Sequence, residues 1–221
     1  MNRMAQGAEV YARWRPPEAP ESASPGGLSD DQGATLAPMD QTITPVTYTF
    51  GLVALGKPGA MLAGSGQKLL ASADAGCSWH EIGPGAGPNT PAMVLRAAGD
   101  TRAYAFGDND SVIVRIDDEK ITKLASPASN EGIIGLGVET GDPDHVRIGD
   151  TAGRLWDSSD AGLTWSPLGV AAFADSLGYR AAFDPQDIDH VLFGALGVGV
   201  LVSVDGGLGW KGATGLGPGK A

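Results

Sequence analysis

The chain has 221 residues, 42% hydrophobic and 19% charged, enough apolar material for one domain or a small array of repeats and too much for a chain disordered throughout. A formal net charge of -11 and a pI near 4.5 work against nucleic-acid phosphates and anionic membrane surfaces, and no apolar stretch nears the roughly 20 residues of a membrane-spanning helix. The 34 glycines and 15 prolines follow no Gly-X-Y period, so collagen is excluded and many short turns are implied, while the single cysteine, Cys77, excludes an internal disulfide framework or a cysteine-rich zinc site.

In chain order, the first segment MNRMAQGAE lacks the apolar stretch of a secretory signal. The expectation is a soluble, acidic, cytoplasmic protein, or a periplasmic or secreted one if a leader has been removed. Residues 1–41 read as a flexible extension: 16–38 carry five prolines and few large apolar side chains, too little surface to offset the entropy of ordering. Within it, 9–14 is more apolar, and a tethered strand of this kind can add to an exposed sheet edge.

From residue 42 the chain repeats. Three octapeptides share the form S-x-D-x-G-x-[STG]-W: SADAGCSW at 72–79, SSDAGLTW at 158–165 and SVDGGLGW at 203–210. Their aspartates, Asp74, Asp160 and Asp205, are spaced by one doubled and one single interval of roughly 43–45 residues, the size of a four-stranded propeller blade. A fourth unit is therefore expected around Asp117, where the box has eroded to RIDDEKIT. Apolar runs ending in glycine precede each box: AMLAG, AYAFG, HVRIG and HVLFG. The expected architecture is all-β, a propeller of four blades at about 42–84, 91–126, 131–170 and 177–217, with a short tail at 218–221. Such an array closes on itself, belongs to a longer propeller, or is completed by another chain in an oligomer or larger assembly, because open strand edges and an apolar blade face are normally covered.

The box residues fit a folding role. An aspartate can accept hydrogen bonds from backbone N–H groups two or three positions on, glycine accommodates φ > 0, and the tryptophan can pack between neighbouring sheets. The residues assigned to this structural role are Ser72, Asp74, Gly76 and Trp79; Asp117; Ser158, Asp160, Gly162 and Trp165; and Ser203, Asp205, Gly207 and Trp210. The three tryptophans are expected to be mostly buried, at equivalent places in three blades.

These octapeptides, with GDPDHVRIGDTAGRLWDSSDAGLTWSPLG at 141–169 and FDPQDIDHVLFGALGVGVLVSVDGGLGW at 183–210, resemble the Asp-box (BNR) repeat superfamily. That group includes sialidases, xyloglucan-degrading glycoside hydrolases, sortilin-like receptors and photosystem II assembly factors. The resemblance implies a propeller, with boxes at the blade periphery and away from active sites. It covers roughly residues 42–217.

No catalytic, cofactor-binding or metal-binding set is assigned, and no cofactor is expected. Arg115-Ile116 is followed by Asp117, where a sialidase would have proline, and Arg96, Arg102, Arg147, Arg154 and Arg180 are scattered and read as solvated or salt-bridged surface residues. His145 and His190 recur at equivalent places after Asp-Pro-containing turns, which favours a hairpin role over metal binding. The stretch GDNDSV at 107–112 has alternating acids without the glycine and distant glutamate of a calcium loop, and reads as a polar hairpin. The expected function is a non-catalytic interaction or assembly module, a scaffold whose partner is a protein. The alternative is a carbohydrate-active propeller, glycoside hydrolase-like or sugar-binding, for which a pair of carboxylates about 5–10 Å apart in an aromatic cleft would be the mark.

Overall fold

The computed structural model describes residues 9–11, 27–29, 37–38, 51–65, 68–85, 93–107, 110–127, 131–171 and 177–214. Three short strands, β1 (Glu9–Tyr11), β2 (Gly27–Ser29) and β3 (Ala37–Pro38), pair antiparallel in a sheet of their own. Thus β1, the segment expected to be able to close a blade edge, pairs instead with β2. The flexibility expected of the rest of the N-terminal extension, and the tail at 218–221, lie outside the described residues.

Four antiparallel four-stranded sheets follow, each a meander in chain order. Blade I contains β4 (Gly51–Ala54), β5 (Met61–Ser65), β6 (Lys68–Ser72) and β7 (His80–Pro84). Blade II contains β8 (Met93–Ala97), β9 (Arg102–Gly107), β10 (Ile113–Asp117) and β11 (Lys120–Leu124). Blade III contains β12 (Ile133–Glu139), β13 (Asp142–Asp150), β14 (Arg154–Ser158) and β15 (Ser166–Val170). Blade IV contains β16 (Gly178–Asp184), β17 (Asp187–Ala195), β18 (Gly199–Ser203) and β19 (Lys211–Gly212). Among the described residues the fold is a β-propeller array of four blades, as the repeat spacing predicts.

The core lies between blades, and this sets the burial pattern of each strand. Blades I and II meet through Leu62, Leu69 and Ala71 on one side and Met93, Leu95, Ala103, Ala105, Val114 and Ile116 on the other. Blades II and III bury Tyr104, Phe106 and Ile113 against Leu136, Val146 and Ile148, and the blade III–IV seam gathers Ile134, Ala181 and Phe193. A middle blade is covered on both faces, so β9 and β12 are buried through most of their length. In blade IV the β17 pattern alternates instead, with Val191 and Phe193 buried and Leu192 exposed.

The innermost strands touch in the order β4, β8, β12, β16, and among the described residues no contact of similar extent joins β16 back to β4. Close approach at the blade III–IV seam depends on glycine: a Cβ on Gly149 would lie 2.7 Å from that of Ala181, and one on Gly135 would fall against the Ala181 carbonyl.

Candidate functional site

Three hairpins joining the third and fourth strands carry the repeated octapeptide, and they share one hydrogen-bond pattern. In blade III the Ser158 hydroxyl donates to Asp160 Oδ1 at 2.8 Å and accepts from the Gly162 N–H at 2.9 Å. Asp160 Oδ1 accepts from the Thr164 N–H at 2.8 Å, and its other oxygen from the Thr164 hydroxyl at 2.6 Å. Blade I repeats this with Ser72, Asp74, Gly76 and Ser78, and blade IV with Ser203, Asp205, Gly207 and Gly209. Each Asp Oδ1 thus accepts from a backbone N–H four positions on, the N–H groups of Leu163 and Leu208, three positions on, also favour the charged forms of Asp160 and Asp205, and the serine satisfies the glycine N–H nearer the middle of the turn. These serines are buried, while the aspartates lie closer to solvent.

Hydrogen bonding sets the carboxylate chemistry. The Ser78 and Thr164 hydroxyls and backbone N–H groups hold Asp74 and Asp160 at a pKa of about 2. Asp205 is lowered too, chiefly by the Gly209 N–H; a hydroxyl is missing at that seventh box position. Two successive residues of each turn have left-handed backbone: Ala75 and Gly76, Ala161 and Gly162, and Gly206 and Gly207. The turn is then tied to its own blade, as the Ala161 N–H donates to the Asp144 carbonyl and the Gly206 N–H to the Asp189 carbonyl.

The tryptophans stand just before the fourth strand of blades I, III and IV and are half-buried. Trp79 and Trp210 donate through Nε1 to the carbonyls of Gly76 and Gly207, whereas Trp165 reaches the Ala125 carbonyl of blade II. Trp210 also packs edge-on to Phe193, with ring centroids 6.0 Å apart.

Blade II departs from the pattern. Asp117 closes β10, and its carboxylate pairs with Arg102 and Arg115 in place of turn N–H groups. Burial opposes its ionisation, but the two guanidinium groups outweigh burial and hold its pKa below the ordinary value. The hairpin beyond it turns on Asp118 and Glu119, both with positive φ, the requirement of a type I′ turn. The structural box role expected of Asp117 is therefore corrected: it anchors an ion-pair cluster.

That cluster belongs to a set of polar links between blades. Arg102 pairs with Asp117 and with Asp144 of blade III, and the buried Tyr104 hydroxyl donates to the Pro143 carbonyl at 2.9 Å. Burial pushes the Tyr104 pKa up to about 12. One blade further on, Arg147 donates to the Ile188 carbonyl at 2.7 Å and pairs with Asp189 and Asp157. Pro143 and Ile188 are each the second residue of their strand, β13 and β17. The same joint is made with a phenol at one seam and a guanidinium at the next. Arg147 is only 4% exposed, which corrects the reading of this arginine as a surface residue. Arg154 turns back on Asp150 and lies over Trp156, Arg96 donates to the Leu95 carbonyl, and Arg180 is exposed on β16.

The two histidines do not converge. His145 lies between Glu139, 2.5 Å from Nδ1, and Asp157, 3.0 Å from Nε2, whereas His190 lies 3.5 Å from Asp187. Burial of the His145 ring opposes its charge, but the two carboxylates outweigh burial and raise its pKa. Asp150 escaped sequence reasoning altogether. It is fully buried and accepts from the Ala152 and Arg154 N–H groups, Arg154 Nε and Trp156 Nε1. In the sequence it is one more Gly-Asp before a turn; its hairpin signal is local, but its partners are visible only once β13 and β14 pair. At 107–112, the Gly107 N–H donates to the Val112 carbonyl and Asp110 caps Ser111, although 108–109 lie outside the described residues. A cavity of about 80 Å³ between the loops of blades I and II, lined by Leu55, Lys57, Met61, Asp100 and Glu119 among others, is small for a sugar or peptide.

No family model matches the chain. A relative from Streptomyces mobaraensis, named dispase autolysis-inducing protein, is 41% identical over 171 residues, covering 76% of this chain and 44% of its own length. The chain thus spans less than half of that relative. Among solved structures, the Niastella koreensis GH74 enzyme superposes with a TM-score of 0.61 at 18% identity, over 86% of this chain and 27% of that one. A GH74 xyloglucanase from Xanthomonas campestris gives 0.59 at 19% identity over 83% and 34%, and YCF48 from Cyanidioschyzon merolae gives 0.57 at 16% over 74% and 55%. At these identities the likeness is one of fold, the β-propeller.

Proposed function

We propose that this chain is an Asp-box (BNR) propeller module that works by binding a protein partner, in the manner of a scaffold rather than a catalyst. The observation that carries this reading is the use of its carboxylates. Asp74, Asp160 and Asp205 are held by the N–H groups of their own turns, and Asp117, Asp157, Asp189 and Glu139 by arginines or His145. A retaining or inverting glycosidase needs two carboxyl groups facing each other across a sugar, one of them protonated, and these seven are engaged in the fabric of the blades. The Streptomyces relative supports the reading from a second direction, since its name describes an effect on another protein, dispase.

The test uses the chain with dispase as the probe. Binding by calorimetry, and faster loss of intact dispase on gels when the chain is present, are the expected results. Absence of both would set this partner aside. Release of reducing sugar from xyloglucan by the same preparation would overturn the non-catalytic reading in favour of a carbohydrate-active one.

A further inference from the structure

An imidazole offers two hydrogen-bond donors only while it is charged; neutral, it keeps one N–H and presents a lone pair on the other nitrogen. In blade III both ring nitrogens of His145 meet carboxylates: Nδ1 lies 2.5 Å from Glu139 Oε2, and Nε2 lies 3.0 Å from Asp157 Oδ1. This is the geometry of an imidazolium. The partners come from the strands on either side, since β13, which carries His145, pairs with β12, ending at Glu139, and with β14, which holds Asp157. On its own strand, Arg147 shares Asp157, Asp144 is paired with Arg102 of blade II, and Asp142 accepts from the Asp144 N–H. Across the seam, blade IV brings Asp189, held by Arg147, and His190, 3.5 Å from Asp187.

We propose that His145 is a proton switch for the tip of the β12–β13 hairpin: charged, it clamps Glu139 and Asp157 together, and on losing its proton it keeps Asp157, releases Glu139 and loosens the tip from blade IV. This goes beyond the protein-partner reading and does not depend on it. The two carboxylates are unequal. Asp157 Oδ1 also accepts from Arg147 Nε at 3.0 Å and lies 2.9 Å from a second nitrogen of the same guanidinium, which is sealed in the seam with the Ile188 carbonyl and Asp189 as its other partners. Turning Asp157 away would take from the buried Arg147 its counter-charge within blade III. Glu139 has a side chain 36% exposed and, among the described residues, no second ion-pair partner, so it reaches water by rotating about its own bonds. The neutral ring therefore keeps its proton on Nε2, toward Asp157, and sets the Nδ1 lone pair against Glu139, which leaves.

The release acts on the seam through the backbone. Glu139 is the last residue of β12, and the next N–H, that of Thr140, donates across the seam to the Pro185 carbonyl of blade IV at 2.6 Å. With Glu139 held, a side chain braces the residue next to this main-chain bond; with Glu139 in water, the bond loses its brace. Both carboxylates favour the charged ring, so the clamp is complete below the ordinary histidine value and opens as the pH rises through the higher folded value. The Arg147–Ile188 joint keeps the seam closed throughout, because a guanidinium does not lose its proton in this range.

Nuclear magnetic resonance of the full chain between about pH 5.5 and 9 tests this. The ring nitrogen shifts of His145 should report an imidazolium at the low end and the Nε2–H tautomer at the high end. Over the same range the protection of the Thr140 amide, corrected for its intrinsic exchange rate, should fall at least about threefold, while amides of β17 that pair with β18 keep theirs. His145→Gln should leave Thr140 protection level across the range. Glu139→Gln should do the same, because an amide can accept from an Nδ1–H or donate to its lone pair. His190→Gln should leave the pH dependence as it is in the unmodified chain. A neutral ring protonated on Nδ1, a Thr140 amide indifferent to pH while the ring titrates, or a loss of protection that persists in His145→Gln would overturn the proposal. The tautomer and the Thr140 amide are read on the unmodified chain, so these two outcomes decide it even if a variant fails to fold.

Discussion

A serine hydroxyl in the box turn does two jobs at once. Ser158 accepts from a buried N–H and aims the Asp160 carboxylate by donating to it, so its loss leaves a buried donor unsatisfied. Ser158→Ala should cost about 1–3 kcal/mol in urea unfolding, by the usual penalty for an orphaned buried donor, and Ser158→Thr should recover part of that cost. The aspartates respond to pH in the sense opposite to histidine. Asp74 and Asp160 have pKa values of about 2, below their unfolded value, so their contribution is present above pH 4 and disappears as the pH falls through about 2. His145 has a raised pKa. Its contribution is complete below the ordinary value of 6.5 and is lost as the pH rises through the higher folded value. The melting temperature should therefore fall as the pH is taken upward from 6.5, and His145→Gln should flatten that dependence; an identical slope in the variant would exclude His145 as its source.

At the scale of the element, the third-to-fourth-strand hairpin has two solutions here. Blades I, III and IV use the long box turn, while blade II uses the two residues Asp118 and Glu119 in a left-handed conformation that disfavours residues with a Cβ. Replacing them with Asn-Gly, the preferred pair for such a turn, should raise stability by about 1 kcal/mol. The Glu119 contact with His80 is exposed on both sides and offsets little of this gain. A chemical-denaturation midpoint that fell on substitution would show that the Glu119 side chain matters more than the turn. Asp117 was legible as a repeat position by spacing alone, but its partners were not. Arg102 and Arg115 reach it only because antiparallel pairing places Arg102 opposite Asp117 and Arg115 two residues away on the same strand.

Across the whole molecule, stability is arranged seam by seam, much as in a solenoid whose units contact only their neighbours. Gly135 and Gly149 let blade IV approach blade III, and Gly135→Ala should cost about 1–3 kcal/mol through overpacking against the Ala181 backbone. Hydrogen exchange should locate the damage: β16 to β18 should lose protection while β5, β6 and β9 keep theirs. Uniform loss in all four blades would mean that the array unfolds as one cooperative unit.

The all-β class and the four-blade count followed from the sequence, because a repeat of turn chemistry and apolar runs is a local signal that survives in one dimension. Three of the four third-to-fourth-strand hairpins were marked by their octapeptides. The links between blades were not legible, since Tyr104 and Arg147 make the same joint at successive seams with unrelated side chains, and nothing local ties a phenol to a guanidinium. Asp150 was likewise hidden, as a buried carboxylate is identified by the donors that surround it. What only the tertiary structure decided is which face of each blade is covered. The same apolar run is core in β9, where sheets lie on both sides, and half solvent in β17, where among the described residues no fifth sheet follows.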